Sequence, residues 1–139
     1  MLCRCAPWAL PRAHCGSARV CSSQPSIAAH LIADNDVPLD VALAALPFEE
    51  RAIRRATPFE YQQGVDLITC SAEDLIIFKA FAARDQDWID VQQILVRQWK
   101  HLDLGYIYRE LAPLCELKEA PEIVSRLQAL VEKVGADIL

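Results

Sequence analysis

The sequence has little glycine, few aromatic residues and no long apolar run. Only four of its 139 residues are glycine and 7% are aromatic. With 53% apolar residues, 24% charged residues and eight prolines, this composition excludes collagen-like, coiled-coil and low-complexity chains. The nearest approach to a membrane span is the run at residues 41–48, which contains a proline and is far shorter than the roughly 18 apolar residues that a span requires. We therefore expect a soluble, cytoplasmic chain with no membrane partner.

The motifs of several large enzyme classes are also absent. The sequence contains no G-x-S-x-G elbow, no P-loop and no H-E-x-x-H segment, so hydrolase, Walker-type ATPase and zincin functions have no residues to support them. His14, His30 and His101 have no companions at catalytic or metal-ligand spacing.

Acidic residues are missing from the first 26 positions and dominate the rest of the chain. The formal net charge is −5, although residues 1–26 contain three arginines and no acid. The acidic region after residue 26 disfavours nonspecific binding to nucleic acid, because its negative charges repel the phosphates. A nucleotide held through Mg²⁺ remains compatible with this charge, since carboxylates are ligands that Mg²⁺ prefers.

Residues 1–26 differ from the remainder in composition and form a leader. The leader contains four cysteines, and its possible zinc ligands are Cys3, Cys5, His14 and Cys15. Their spacing lacks the cysteine pairs typical of tetrahedral sites, so zinc is not expected. Prolines interrupt the apolar run that an export signal needs, whereas a cleaved organellar transit peptide stays open. We favour an unstructured or unrelated leader, followed by one domain over residues 27–139.

Beyond the leader, the pattern predicts strands first and then a helical tail. Residues 28–33 and 37–43 flank an Asp-Asn-Asp turn and predict a hairpin with one aliphatic face. A helix is predicted from Pro47 to Arg55, with acids in its first turn and arginines in its last. A second hairpin is predicted around Gly64.

Further helices are predicted after Ser71, which has Asp74 three residues later and so matches a capping box. A helix beginning near Asp85 is predicted from an apolar stripe that consists of Trp88, Val91, Leu95 and Trp99. Residues 104–114 and 121–134 predict two more helices. Together these elements predict an α+β fold, a small sheet with hairpins followed by a C-terminal helical bundle.

Asp40 is the first candidate site residue, because it lies in a predicted strand on the face opposite the aliphatic side chains. Its same-face neighbours, Ala42 and Ala44, are small and leave space for a ligand above the carboxylate. A bound metal ion would offset the cost of holding this charge in a sheet. The alternatives are a solvated face or a place in the preceding turn.

Lys79 is the second candidate, because a helix places it on an apolar face beside Ala82 and Ala83. Lysine can lie along such a surface and keep its charge in water. The functional alternative is a groove in which the ammonium group meets an anion such as a triphosphate. Asp87 and Asp90 lie three residues apart, either on a solvated face and helix N-terminus or in a site.

Four segments carry a resemblance to a known family. They are V-P-L-D-V-A-L at residues 37–43, L-P-F-E-E at 46–50, S-A-E-D-L at 71–75, and the stretch from Lys79 to Asp90. They resemble the AbiEii-like nucleotidyltransferases of the DNA polymerase beta-like superfamily, over roughly residues 28–130. That family has a K-x-x-A-x-x-R type motif leading into R-x-x-D-x-x-D, and here Arg84 stands one position early.

The resemblance implies transfer of a nucleoside monophosphate from a nucleoside triphosphate to an acceptor hydroxyl, with two Mg²⁺ ions. It implies that Asp40 is a metal ligand or the base that activates the acceptor. Lys79, Arg84 and Asp90 would bind the nucleotide, with Lys79 neutralising phosphate charge. Asp87 would orient Lys79 or the acceptor.

The family's opening motifs, a Gly-Gly or Gly-Ser turn and an Asp-x-Asp strand, have no counterpart before residue 28. The leader contains a single glycine, Gly16, and no aspartate. Because two divalent ions need more than one carboxylate, Asp40 alone supplies too few ligands. We therefore expect the chain to be the C-terminal part of a nucleotidyltransferase domain, which is truncated and inactive.

The alternative is a non-enzymatic interaction module, such as a toxin–antitoxin component or a remnant domain. A truncated sheet exposes an unpaired edge, which a protein partner or a second copy of the chain would cover.

Overall fold

The protein has a mixed α+β fold in the computed structural model, which describes residues 28–32, 35–42 and 44–138. The α+β class predicted from the sequence is confirmed, and the described strands form two separate two-stranded sheets. The leader and its possible zinc ligands lie outside the described residues. The chain divides at Leu46 into two compact units, and each unit is described by itself.

The first unit contains an antiparallel hairpin of β1 (Ala28–Ile32) and β2 (Pro38–Ala42), which confirms the first predicted hairpin. In the turn, Asn35 accepts a hydrogen bond from the backbone N–H of Val37 at 3.3 Å. A short polar side chain that binds the backbone two residues ahead is typical of such turns. Asp40 lies in β2, opposite His30 in the strand register.

The second unit begins with α1 and a second antiparallel hairpin, and continues with four helices. Its elements are α1 (Pro47–Arg55), β3 (Thr57–Gln62), β4 (Val65–Thr69), α2 (Ala72–Ala82), α3 (Asp85–Gln98), α4 (Leu104–Leu117) and α5 (Glu122–Ile138). All seven were predicted from the sequence. The two last helices continue beyond their predicted ends, at Leu114 and Val134. No helix in the described ranges is long and apolar enough to cross a membrane.

The core of the second unit forms around α2, which contacts α3, α4 and α5. A helix that is apolar around most of its circumference is expected at the centre of a bundle. The fully buried side chains of this core include Ile76, Ile77, Val91, Leu95, Ile107, Leu111 and Leu127. The apolar stripe predicted for α3 is confirmed for Trp88, Val91 and Leu95, which are all buried. Its fourth member, Trp99, lies in a short 3-10 turn after α3 and is partly buried.

Ser71 caps α2, but the predicted capping box is only half formed. The hydroxyl of Ser71 accepts a hydrogen bond from the backbone N–H of Asp74 at 3.1 Å. The carboxylate of Asp74 does not return to the backbone of Ser71 and instead accepts hydrogen bonds from Arg55 and Tyr106. This part of the prediction is wrong, because a charged donor competes better for a buried carboxylate than a neutral amide does.

Substitution of Ser71 by alanine is expected to lower the free energy of unfolding by about 1 kcal/mol, because it removes the cap from the central helix. Ser71→Thr is the matched control, since threonine keeps the hydroxyl acceptor. Urea denaturation of both variants measures the difference. Equal stability of the alanine and threonine variants would contradict the capping role.

Candidate functional site

The junction between α2 and α3 brings four of the predicted site residues together. Ala83 ends α2 in a left-handed conformation (φ 61°), and Arg84 is the N-cap of α3. This tight connection places Lys79, in the last turn of α2, against the first turns of α3, which carry Asp87 and Asp90.

The four side chains form a chain of alternating charges, which we call the Lys79 cluster. The Nζ atom of Lys79 lies 2.8 Å from Oδ2 of Asp90 and 3.2 Å from Oδ1 of Asp87. Arg84 donates to both oxygens of Asp87, from Nε at 2.6 Å and from Nη2 at 3.1 Å. Asp87 therefore links the two cations, and Asp90 holds Lys79 from its other side.

Burial differs sharply among the four members. The side chain of Asp87 is only 1% exposed, whereas those of Lys79 and Asp90 are 30% and 32% exposed and that of Arg84 is 76% exposed. The solvated-face interpretation therefore does not describe Asp87. The carboxylate of Asp87 also accepts a hydrogen bond from the backbone N–H of Arg84 at 3.3 Å. Asp87 is therefore a buried acid that caps α3.

The hydrogen bonds fix the protonation states of the Lys79 cluster. The bond from Arg84, assisted by the bond from Lys79, lowers the pKa of Asp87 to about 2. The bond from Lys79 lowers the pKa of Asp90, and the carboxylates of Asp90 and Asp87 raise the pKa of Lys79. A general acid or base works best with a pKa near the working pH. The cluster is therefore suited to binding and orientation rather than to proton transfer.

Lys79 has spare capacity for a ligand. An ammonium group carries three N–H donors, and its two carboxylate partners account for two of them. Asp90 is also held by the side chain of Gln86, which donates to its other oxygen at 3.3 Å. One donor of Lys79 is thus left at a partly exposed position.

The structure places Asp40 in β2 of the first unit, and its side chain lies outside the described residues. Its role as a metal ligand or as the base that activates the acceptor therefore stays a prediction. In the part of the chain that the structure describes, no group of three or more His, Cys, Asp or Glu side chains could hold a metal ion. The two acids of the Lys79 cluster are engaged by cations, so this donor set does not fit the implied pair of Mg²⁺ ions.

A second polar cluster, which sequence reasoning missed, lies at the start of α2 and consists of Arg55, Asp74 and Tyr106. Asp74 is fully buried, and its Oδ1 atom accepts hydrogen bonds from Arg55 at 2.5 Å and from Tyr106 at 2.9 Å. No donor among the described residues forms a hydrogen bond with its Oδ2 atom. Burial, together with the bond to Asp74, raises the pKa of Tyr106 to about 12, so this phenol stays protonated at neutral pH.

The sequence contained only a weak signal for this second cluster. Asp74 had a local explanation as a capping residue, and its partners Arg55 and Tyr106 lie 19 and 32 positions away in the chain. The useful signal is an acid placed directly before the apolar run of α2, where a helix buried on most sides leaves little room for a charge.

Similarity to known proteins adds no assignment: no family model, no curated protein and no solved structure matches this chain.

Proposed function

We propose that this protein is a nucleotidyltransferase-like domain that binds the phosphates of a nucleoside triphosphate at the Lys79 cluster without transferring the nucleotide. The observation that carries the proposal is the partly exposed ammonium of Lys79, held between Asp87 and Asp90 with one donor to spare. The resemblance of this segment to the nucleotidyltransferase motif supports the choice of ligand.

The difference in burial among the four residues supports phosphate binding. Buried Asp87 stays in place and orients the cations on either side of it. Asp90 is partly exposed and can turn to water when phosphate oxygens compete for Lys79. Arg84 uses Nε and Nη2 on Asp87 and keeps further guanidinium donors for a second phosphate oxygen.

The same geometry supports the expectation that no transfer occurs. Two-metal transfer needs several free carboxylates, and both acids of the cluster are paired with cations. A radiolabelled transfer assay with Mg²⁺ is expected to show no product. Turnover that is lost in Asp40→Ala would refute this expectation.

Substitution of Lys79 by methionine is expected to weaken triphosphate binding about ten- to hundredfold, because a charge-assisted hydrogen bond to phosphate is lost. Isothermal titration with ATP and with inorganic triphosphate, each with and without Mg²⁺, measures the change. Lys100→Met is the matched control, since it removes the same charge from an exposed lysine after α3.

Equal affinities of the Lys79→Met and Lys100→Met variants would contradict the proposal, as would wild-type protein that binds neither triphosphate. Circular dichroism verifies that both variants are folded. Arg84 still neutralises Asp87 in Lys79→Met, so the variant is not left with an unpaired buried acid.

A further inference from the structure

The hairpin of β3 and β4 exposes all of its residues in the described structure. Its large exposed apolar residues are Phe59, Tyr61, Val65, Leu67 and Ile68. An isolated two-stranded hairpin is only marginally stable in water, and a hydrophobic face normally packs on something else. An apolar patch of this kind on a folded chain marks an interaction surface.

The strand register separates the two faces of the hairpin. Phe59 is paired with Leu67 on one face, whereas the opposite face carries the pair of Glu60 and Asp66 beside the pair of Pro58 and Ile68. Directly opposed like charges destabilise a sheet. Neither carboxylate forms an ion pair with any residue that the structure describes. Among the residues that the structure describes, none covers the face of Phe59 and Leu67, and none provides a cation for the two carboxylates.

The two edges of the hairpin are not equivalent. The sheet consists of β3 and β4 alone, so both strands are edges within the described ranges. Pro58 in β3 has no N–H group, and proline in a sheet normally turns its nitrogen towards solvent. The outer edge of β3 thus lacks a donor at that position, whereas β4 contains no proline and has a complete edge.

We propose that the outer edge of β4 binds an extended segment of a partner protein in which apolar and basic residues alternate. An added strand continues the backbone hydrogen bonding, and its side chains point alternately to the two faces of the sheet. On one face its apolar residues lie beside Val65 and Leu67 of β4, and on the other face its basic residues lie beside Asp66, with Glu60 one strand further away.

Charge complementarity selects this partner over the other occupants. Neither β3 nor β4 contains a basic residue, so pairing with the same hairpin of a second copy would bring no cation to the carboxylates. Nucleic acid would meet the same carboxylates with its phosphates. The hairpin contains no residue of the Lys79 cluster, so peptide binding at β4 does not depend on phosphate binding.

The test measures binding of the full chain to a fluorescent peptide of eight residues with alternating valine and lysine. We expect saturable binding that weakens as salt is added, because exposed charges are screened. The double charge reversal Glu60→Lys, Asp66→Lys should weaken binding at least tenfold and should gain binding of the matching valine–glutamate peptide. The control is Glu116→Lys, Glu119→Lys, which makes the same change in net charge at exposed positions in the last turn of α4 and in the turn after it.

A second peptide separates strand pairing from simple attraction between charges. N-methylation of alternate peptide bonds removes backbone donors and keeps every charge, so it should reduce binding at least tenfold. Equal binding of the methylated peptide, or equal effects of the two charge-reversed variants, would overturn the proposal. A dimer in light scattering that dissociates in Glu60→Lys, Asp66→Lys would also overturn it, in favour of a second copy.

Discussion

Substitution of Arg55 by methionine is expected to lower the free energy of unfolding by about 3 kcal/mol, because removing one partner of a buried ion pair leaves an uncompensated charge. Asp74 is fully buried, and without Arg55 the hydroxyl of Tyr106 would be the one donor to its carboxylate among the described residues. This expected loss lies at the lower end of the range for buried ion pairs, because the side chain of Arg55 is 38% exposed. Chemical denaturation at neutral pH measures the loss.

The neighbouring arginine provides the matched control. Arg54 pairs with Glu50 at 2.9 Å across one turn of α1, and both side chains are largely exposed. Such surface pairs contribute at most about 1 kcal/mol, so Arg54→Met should be close to wild type. Equal losses in the two variants would show that Asp74 does not depend on Arg55.

The protein is expected to lose stability as the pH falls from about 4 towards 2, and Asp87 should account for much of that loss. The cations beside Asp87 lower its pKa from 3.8 to about 2 in the folded chain. A lowered pKa stabilises the folded state fully above the ordinary value, and this contribution is lost as the pH falls through the folded value. Denaturation curves recorded at several pH values between 2 and 7 measure the effect.

Two asparagine variants test this assignment. Asp87→Asn should be less stable than wild type at pH 7 and should show a shallower decline of stability between pH 4 and 2. Asp85→Asn changes an exposed acid at the start of the same helix and should parallel wild type. The assignment fails if Asp87→Asn declines as steeply as wild type does.

The elements of the second unit could be predicted because their signals are local. Pro47 marks the start of α1, Ser71 marks the start of α2, and the spacing of Trp88, Val91 and Leu95 identifies the buried face of α3. Each signal depends on residues within one or two turns, which the sequence places without any tertiary information.

The Lys79 cluster was partly predictable for the same reason. Lys79 and Asp90 are 11 positions apart, so a helix, a tight connection and a second helix suffice to bring them together. The burial of Asp87 could not be predicted, because it depends on how α2 packs against α3. The cluster of Asp74 required contacts among α1, α2 and α4, and Asp40 belongs to a different unit.

Phosphate binding at the Lys79 cluster can be observed directly by nitrogen NMR of the lysine ammonium groups during a titration with inorganic triphosphate. The chain has four lysines, Lys79, Lys100, Lys118 and Lys133, and the Lys79→Met variant identifies the signal of Lys79. We predict a saturable shift of the Lys79 signal while the other three signals stay in place. An unchanged Lys79 signal, or equal shifts of all four, would contradict phosphate binding at this cluster.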